Sequence, residues 1–232
     1  MPISLDKIPA GLVSLTKSAA VSLEKAGLAG QRAAVYLVLD RSRSMGPYYR
    51  DGSVQHLAEQ ILALSANLDD DGVVPTVFFD SDAYEPAEIS LDAHRGRIGV
   101  LHREYGRMGS TNYAAAMDKV IDHYLDTGTD DPAFVVFQTD GSPDSRRAAE
   151  QTLCKAAALP LFWQFIGFGD DAFTFLRKLD DLAVPAKRVV DNAGFFPAGQ
   201  RPADIPDGVL YDRLMEEFPE WLGTARAAGV LR

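Results

Sequence analysis

Four nearly continuous apolar runs recur through the middle of the chain, and each is bounded by polar or turn-forming residues. They lie at 33–39 (AAVYLVL), 73–79 (VVPTVFF), 133–138 (AFVVFQ) and 161–168 (LFWQFIGF). Runs of this length without polar alternation are typical of strands buried on both faces, such as the inner strands of a parallel sheet. The runs therefore predict the centre of a largely parallel sheet.

Amphipathic segments with helical spacing of their apolar residues lie between and after these runs. They occupy 53–68, 112–125, 145–159 and 171–182. Regular alternation of strands and helices is typical of βαβ units with right-handed crossovers. We therefore predict one doubly wound α/β domain.

Two further strands are predicted at the margins of the sheet. Segment 83–91 contains Pro86, which suits only an edge strand or its margin. The segment KRVVDN at 187–192 predicts the last short strand, and the Gly- and Pro-rich stretch that follows it predicts a connecting loop.

Both ends of the chain predict helices, because apolar residues recur there with helical spacing. Near the N-terminus these residues are Leu12, Leu15, Ala19, Leu23 and Ala26. In the tail they are Leu210, Leu214, Phe218 and Trp221 or Leu222. We divide the chain into an N-terminal helical extension (1–31), the α/β domain (32–192), and a loop with a C-terminal helix packed on the same domain (193–232).

Composition narrows the functional classes. With 232 residues, 47% hydrophobic, the chain is long enough for one well-buried domain. Its formal charge of -10 argues against nucleic-acid binding, which needs a basic surface. One cysteine permits neither an intramolecular disulfide nor a cysteine zinc site. The N-terminus lacks a signal-peptide core and no apolar run is long enough to span a membrane, so we expect a cytoplasmic protein without membrane insertion.

Three loops predicted at one edge of the sheet carry hydroxyl and carboxylate side chains. Ligands of such folds bind beyond the carboxyl ends of the strands, where these loops lie. The candidate donors are Asp40, Ser42, Ser44, Thr111 and Asp140. All five offer oxygen, which Mg²⁺ prefers, and the scattered histidines argue against zinc. The pattern favours a Mg²⁺ site, with Ca²⁺ or Mn²⁺ as alternatives.

Simpler interpretations of the same residues remain open. Ser42, Ser44 and Thr111 could be helix caps, and Asp140 with Gly141 could form an ordinary turn. A haloacid-dehalogenase-like phosphatase would also place an Asp at a strand end, but its second Asp would stand at position 42, which is Ser42. Neither a phosphate-binding GxxxxGK[ST] loop nor a G-x-S-x-G elbow occurs. We expect no enzymatic activity. The alternatives are a Mg²⁺-dependent phosphatase-like hydrolase and a folded scaffold whose metal site is structural or vestigial.

The motifs DRSRS at 40–44, GST at 109–111 and TDG at 139–141 together resemble the metal-ion-dependent adhesion site of von Willebrand factor type A (vWA) domains. The resemblance covers about residues 32–192. The N-terminal LVSLTKSAAVSLEKAGL and the YRDGSVQ after the first motif further resemble the bacterial, tellurite-resistance-associated branch of that family.

The resemblance implies a six-stranded, mostly parallel sheet with helices on both faces. It also implies that Ser42, Ser44 and Thr111 bind the metal directly, and that Asp40 and Asp140 act directly or through water. In that family an acidic residue of a partner protein commonly completes the coordination. The expected function is metal-dependent protein recognition, with partners among tellurite-resistance and chemical-stress proteins.

Two arginines depart from the commonest form of the first motif. Arg43 stands where a glycine is frequent, and Arg41 precedes it by two residues. Two positive charges oppose cation binding unless their side chains point outward, where they could bind a partner's carboxylates or phosphates; solvated loop arginines are the alternative. The remaining candidates for a partner-binding rim are Tyr48, Tyr49, His102, Arg103 and Arg107.

Overall fold

A computed structural model describes residues 2–184 and 186–232, and its centre is one six-stranded sheet. The strands are β1 (Ala34–Asp40), β2 (Val73–Phe79), β3 (Ala87–Ser90), β4 (Ala133–Thr139), β5 (Leu161–Phe168) and β6 (Ala193–Gly199). Their order is β3-β2-β1-β4-β5-β6, and only β3 is antiparallel to its neighbour. The predicted doubly wound, mostly parallel six-stranded sheet is confirmed.

Nine α-helices occur among the described residues. They are α1 (Val13–Lys25), α2 (Gly46–Arg50), α3 (Ser53–Leu68), α4 (Arg97–Glu104), α5 (Tyr113–Thr127), α6 (Arg146–Ala156), α7 (Thr174–Asp180), α8 (Asp207–Leu214) and α9 (Phe218–Ala227). Within residues 2–184 and 186–232, none of these helices has the length and hydropathy needed to cross a membrane.

The apolar runs form the centre of the sheet because alternate side chains of each strand enter two separate cores. In β1, Leu37 and Leu39 pack toward α1, α3, α8 and α9, whereas Tyr36 and Val38 pack toward α5, α6 and α7. Helices therefore cover both faces, as the pattern predicts.

The edge strand β3 agrees with the prediction from sequence, but the opposite edge strand, β6, does not. β3 follows Pro86 and pairs antiparallel with β2. The predicted last strand at 187–192 is wrong, since β6 begins at Ala193, inside the segment that we assigned to a loop. An edge strand tolerates the proline and glycines of this segment. The stretch before it is irregular, and within it buried Arg188 donates to the carbonyls of Leu182 and Asp180.

The C-terminal tail forms two helices instead of one. α8 ends before Met215, and α9 begins at Phe218 with Pro219 in its first turn, where proline is favoured. The predicted apolar positions of the tail are all buried. The short helix α4 was missed, because only Ile98 and Leu101 give it a buried face.

Candidate metal site

The candidate site lies at the carboxyl ends of β1 and β4, two adjacent parallel strands. β1 ends at Asp40 and β4 ends at Thr139, one residue before Asp140. β2 flanks β1 on its other side, so the chain changes its winding direction between β1 and β4. Such a switch point opens the crevice in which open α/β sheets bind ligands.

Asp40 is fully buried, and both of its carboxylate oxygens accept hydrogen bonds. Oδ1 accepts from the backbone N–H of Ser42 at 2.5 Å, and Oδ2 accepts from Oγ1 of Thr139 at 2.6 Å. Burial raises the pKa of Asp40 to about 7, although these hydrogen bonds act in the opposite direction. A nearby cation would favour the charged form of this carboxylate.

Ser42, Ser44 and Asp140 form a close cluster of oxygens. The hydroxyl of Ser44 donates to Oδ1 of Asp140 at 2.9 Å, and that of Ser42 donates to the same oxygen at 3.4 Å. The two hydroxyl oxygens lie 3.2 Å apart. Burial raises the pKa of Asp140, offset in part by the two serines. Four of the five predicted residues thus share one hydrogen-bonded network.

Thr111 lies in the loop at 106–112, which runs between the other two loops. Gly109 forms an isolated parallel bridge with Ser42, and its carbonyl accepts from the N–H of Arg43 at 3.3 Å. Thr111 donates its N–H to Asp144 Oδ2 at 3.1 Å and accepts from the N–H of Asp144 at 2.8 Å. The loop of Thr111 is therefore hydrogen-bonded to the loop of Ser42 and to the loop of Asp140.

Helix capping does not explain these residues. Ser42 precedes a 3-10 turn, but its side chain makes no capping hydrogen bond there. The cap of α5 is Asn112, whose Oδ1 accepts from the N–H of Ala115 at 3.2 Å, so Thr111 is not that cap. The alternating hydroxyls of the first loop contact Asp140 instead of a helix end.

Arg41 does not belong to the predicted partner-binding rim, because its side chain is completely buried and does not point outward. Its Nη1 lies 2.9 Å from Oδ2 of Asp80, and the guanidinium stands over the rings of Tyr84 and Tyr105 at 5.2 and 5.5 Å. The carboxylate at the end of β2 compensates the charge and so permits burial. Asp80 was not predicted from the sequence as part of the site, although its position directly after the apolar run at 73–79 could have indicated it.

The other rim candidates divide by exposure. Arg43, Arg103 and Arg107 are exposed. Tyr48 is half-buried, with its ring packed edge-on against Phe168. The partner-binding role of these residues stays a prediction.

Tyr49 and His102 belong to the packing behind the first loop. Their rings stack with centroids 4.0 Å apart, and the hydroxyl of Tyr49 donates to the carbonyl of Asp40 at 3.0 Å.

Thr139 and Asp144 are further residues of the site that the sequence analysis missed. Thr139 holds Asp40 as described, and Asp144 Oδ2 accepts from the hydroxyl of Ser110 at 2.6 Å as well as from Thr111. Thr139 begins the TDG motif and Asp144 lies in the loop that follows it, so both could have been found from their positions near this motif.

The donor set fits a hard divalent cation. Every candidate donor is an oxygen, and among the described residues no ion pair reaches Asp40 or Asp140. No group of three or more His, Cys, Asp or Glu side chains in the described parts of the chain is arranged to hold a metal. A cation at this place would therefore depend on hydroxyl oxygens, which suits Mg²⁺ or Mn²⁺ better than a softer metal.

A concavity of about 550 Å³ opens beside Ser44 and Asp140. Its lining includes Tyr48, Phe168 and Asp170. This space at the carboxyl edge gives a group from another molecule access to the oxygen cluster.

Residues 32–231 match the family model described as the vWA domain found in the TerF C terminus. The chain belongs to this vWA-TerF-like family. It is 34% identical over 220 residues to the uncharacterized protein YcbR of Bacillus subtilis (strain 168), a match that covers 93% of this chain and 88% of YcbR.

Solved structures share the vWA fold at lower identity. The manganese-loaded TRAP protein of Plasmodium vivax is 21% identical with a TM-score of 0.50, over 78% of this chain and 74% of TRAP. A von Willebrand factor type A protein from Catenulispora acidiphila is 18% identical with a TM-score of 0.55, over 86% of this chain and 43% of that protein.

Proposed function

We propose that this vWA-TerF-like chain is a metal-dependent protein-interaction module. Its cation is Mg²⁺ or Mn²⁺, bound by Ser42, Ser44 and Thr111, with Asp40 and Asp140 acting directly or through water. An acidic group of a partner protein completes the coordination. The partners belong to tellurite-resistance or chemical-stress complexes, a proposal that family membership supports.

The observation that carries the proposal is the convergence of two chain segments, distant in sequence, on one oxygen cluster. Asp140 follows Ser42 by 98 positions and yet accepts from both Ser42 and Ser44. The accompanying carboxylates are partly or fully buried, and a bound cation would relieve the electrostatic cost of that burial. The manganese-loaded TRAP neighbour gives further support for a divalent ion on this fold.

We propose that the site is not catalytic. A phosphatase nucleophile must be reached by its substrate, but the side chain of Asp40 is fully buried and both of its oxygens accept hydrogen bonds. The two serine hydroxyls donate to a carboxylate and have no histidine base among their described contacts.

Calorimetric titration with Mg²⁺, Mn²⁺ and Ca²⁺ tests the metal. We expect saturable binding of one ion to the wild type and its loss in Asp140→Asn. Asp170→Asn is the matched control, because this exposed carboxylate lies in the adjacent concavity and contacts only Gln200 among the described hydrogen bonds. Equal binding to both variants contradicts the proposed ligands, and absence of binding to the wild type supports a vestigial site.

Two further measurements separate recognition from catalysis. We expect no metal-dependent turnover of p-nitrophenyl phosphate. We also expect partner capture that requires the cation and that Ser44→Ala abolishes, whereas Ser142→Ala, an exposed serine of the Asp140 loop, leaves it intact. Turnover that disappears in Asp140→Asn would favour the phosphatase instead.

A further inference from the structure

We propose that Arg41 is a positioning residue of the cation site, which fixes the loop at 106–112 and thereby the placement of Thr111. The inference rests on the proposed function, in which Thr111 binds the metal. Arg41 lies beside the metal-binding residues in sequence but points away from solvent into the space between β1, β2 and α4.

Arg41 holds the start of this loop directly. Its Nη2 donates to the carbonyl of Gly106 at 2.8 Å and to that of His102 at 3.4 Å, and its Nε donates to Nδ1 of His102 at 3.3 Å. These bonds attach the end of α4 and the first residue of the loop to the position directly after Asp40. They fix where the loop leaves α4.

Arg41 holds the end of the loop through Asp80. Nη1 of Arg41 binds Oδ2 of Asp80, while the carbonyl of Asp80 accepts from the N–H of Asn112 at 2.7 Å. The next residue, Ser81, accepts at Oγ from the N–H of Ser110 at 3.0 Å. The two residues that flank Thr111 are therefore bonded to the turn that the Arg41 ion pair stabilises.

The middle of the loop, at Gly109, packs against the same turn and leaves no space there for a side chain. A Cβ at Gly109 would stand 2.5 Å from Oγ of Ser81 and 3.0 Å from Oδ1 of Asp80. Because glycine alone permits this approach, a shift of Asp80 toward the loop would displace Gly109. The displacement passes to Ser42, which forms a backbone bridge with Gly109.

The ion pair also explains how an arginine is tolerated next to a cation site. An uncompensated guanidinium would repel a divalent ion. Asp80, at 2.9 Å, cancels that charge within the buried cluster. A solvated arginine at this position would offer neither the charge balance nor the bonds to the loop.

The test is a double-mutant cycle on Mn²⁺ affinity in the full chain. Arg41→Met with Asp80→Asn removes both buried charges and so avoids leaving one unpaired. We expect at least a tenfold rise in Kd for this double variant and for Thr111→Val. The triple variant should bind no more weakly than Thr111→Val, because Arg41 acts through Thr111.

The matched control is Arg188→Met with Asp191→Asn. Arg188 is also fully buried and pairs with its Asp at 2.7 Å, but it lies away from the site loops. We expect its Kd to stay within twofold of wild type. Unchanged affinity in the Arg41 double variant, unchanged affinity in Thr111→Val, or losses that multiply in the triple variant would each overturn the inference.

Gly109→Ala provides a test that does not depend on folding of the double variant, and hydrogen exchange provides a readout other than metal affinity. Gly109→Ala displaces the loop while keeping both Arg41 and Asp80, and we expect a comparable rise in Kd. In metal-free protein, the amide of Asn112 should exchange faster in the Arg41 double variant than in the Arg188 control. A wild type that binds no cation overturns the proposed function together with this inference. Wild-type affinity in the Arg41 double variant and in Gly109→Ala, with binding still weakened in Thr111→Val, overturns only the inference.

Discussion

Thr139 connects the stability of the fold around Asp40 with the metal-binding role proposed for that carboxylate. Its hydroxyl donates to Oδ2 of Asp40 at 2.6 Å and lies 3.0 Å from the hydroxyl of Tyr113, so three buried polar groups depend on one another. Such a network is stabilising only when every member is satisfied.

Thr139→Val should lower the free energy of unfolding by about 1–3 kcal/mol, because it leaves a buried carboxylate oxygen without its donor. It should also weaken cation binding, since the orientation of Asp40 is lost. Urea denaturation and calorimetry measure the two effects. Thr76→Val is the control: Thr76 is buried in β2 and donates to the carbonyl of Val74, so its loss should affect stability alone. Equal metal affinity in the two variants would contradict this role for Thr139.

Glu217 is a half-buried carboxyl group that lies far along the chain from the site loops. Oε1 of buried Gln164 has no hydrogen-bond partner among the described residues. A Cβ at Gly194 would stand 2.9 Å from that oxygen and 3.0 Å from Oε1 of Glu217, so both side chains approach the same point of β6. A protonated Glu217 has the donor that Gln164 lacks.

Burial raises the pKa of Glu217 from its ordinary value of 4.5 to about 7, with a further contribution from Asp180 and Asp191 and an opposing one from Arg188. Between these two values the folded chain holds more protons than the unfolded chain. Stability therefore falls as the pH rises through this window.

Glu217→Gln should remove this pH dependence, because an amide stays neutral and can donate to Gln164. Between pH 5 and pH 8 we expect the wild type to lose on the order of 1 kcal/mol relative to the variant, a value reduced for solvent screening of a half-buried group. Urea denaturation at both pH values measures it. Glu216→Gln alters an exposed neighbour and should follow the wild type. A parallel decline in wild type and Glu217→Gln would refute the assignment.

At the scale of elements, β5 and α7 are joined by a turn that leaves no room for a side chain at Gly167. A Cβ there would stand 2.7–2.8 Å from the ring of Phe173. Phe173 is the one non-glycine residue with positive φ in the described chain, at 49°. The ring is held in the core by this uncommon backbone conformation and cannot move aside freely.

Gly167→Ala should therefore destabilise the protein by about 1–3 kcal/mol through overpacking. Gly223→Ala provides the opposite case, because Gly223 lies inside α9 with nothing within 4 Å of its Cβ position. There we expect stabilisation of about 0.5–1 kcal/mol from the better helix propensity of alanine. Thermal and urea unfolding measure both changes. Similar effects of the two substitutions would show that the ring of Phe173 can move to accommodate the added methyl group.

The inner strands could be predicted from sequence because burial on both faces leaves a continuous apolar run, as in β4 and β5. β6 could not, because an edge strand accepts Gly194 and Pro197, residues that otherwise indicate a loop. In the tail, apolar spacing predicts burial correctly but does not mark the interruption between Leu214 and Phe218, since both sides of the interruption face the same core.

The site could be predicted in part for a related reason. Strand ends carry oxygen side chains to one edge, so the convergence of Ser42, Ser44 and Asp140 follows from the order of motifs and strands. The environments of Arg41 and Arg43 could not be told apart, because burial of Arg41 depends on Asp80, which follows β2 and is distant in sequence. Charge compensation of this kind leaves no local pattern.

At the scale of the whole molecule, a cation bound only by the folded chain should raise its thermal stability. At a free ion concentration of a hundred times Kd, the gain is about 2.7 kcal/mol. For a chain of this size, that corresponds to a rise in Tm of roughly 5–10 °C.

The net charge of -10 provides a second cause for a rise in Tm, because any cation that screens charge repulsion also stabilises an acidic protein. Screening depends on ionic strength and acts on wild type and Asp140→Asn alike, whereas occupation of the site requires the Asp140 carboxylate. We expect Mg²⁺ and Mn²⁺ to raise the Tm of the wild type at constant ionic strength, EDTA to reverse the rise, and Asp140→Asn to show none of it. Equal shifts in both proteins would assign the stabilisation to the acidic surface and remove thermal support for a specific site.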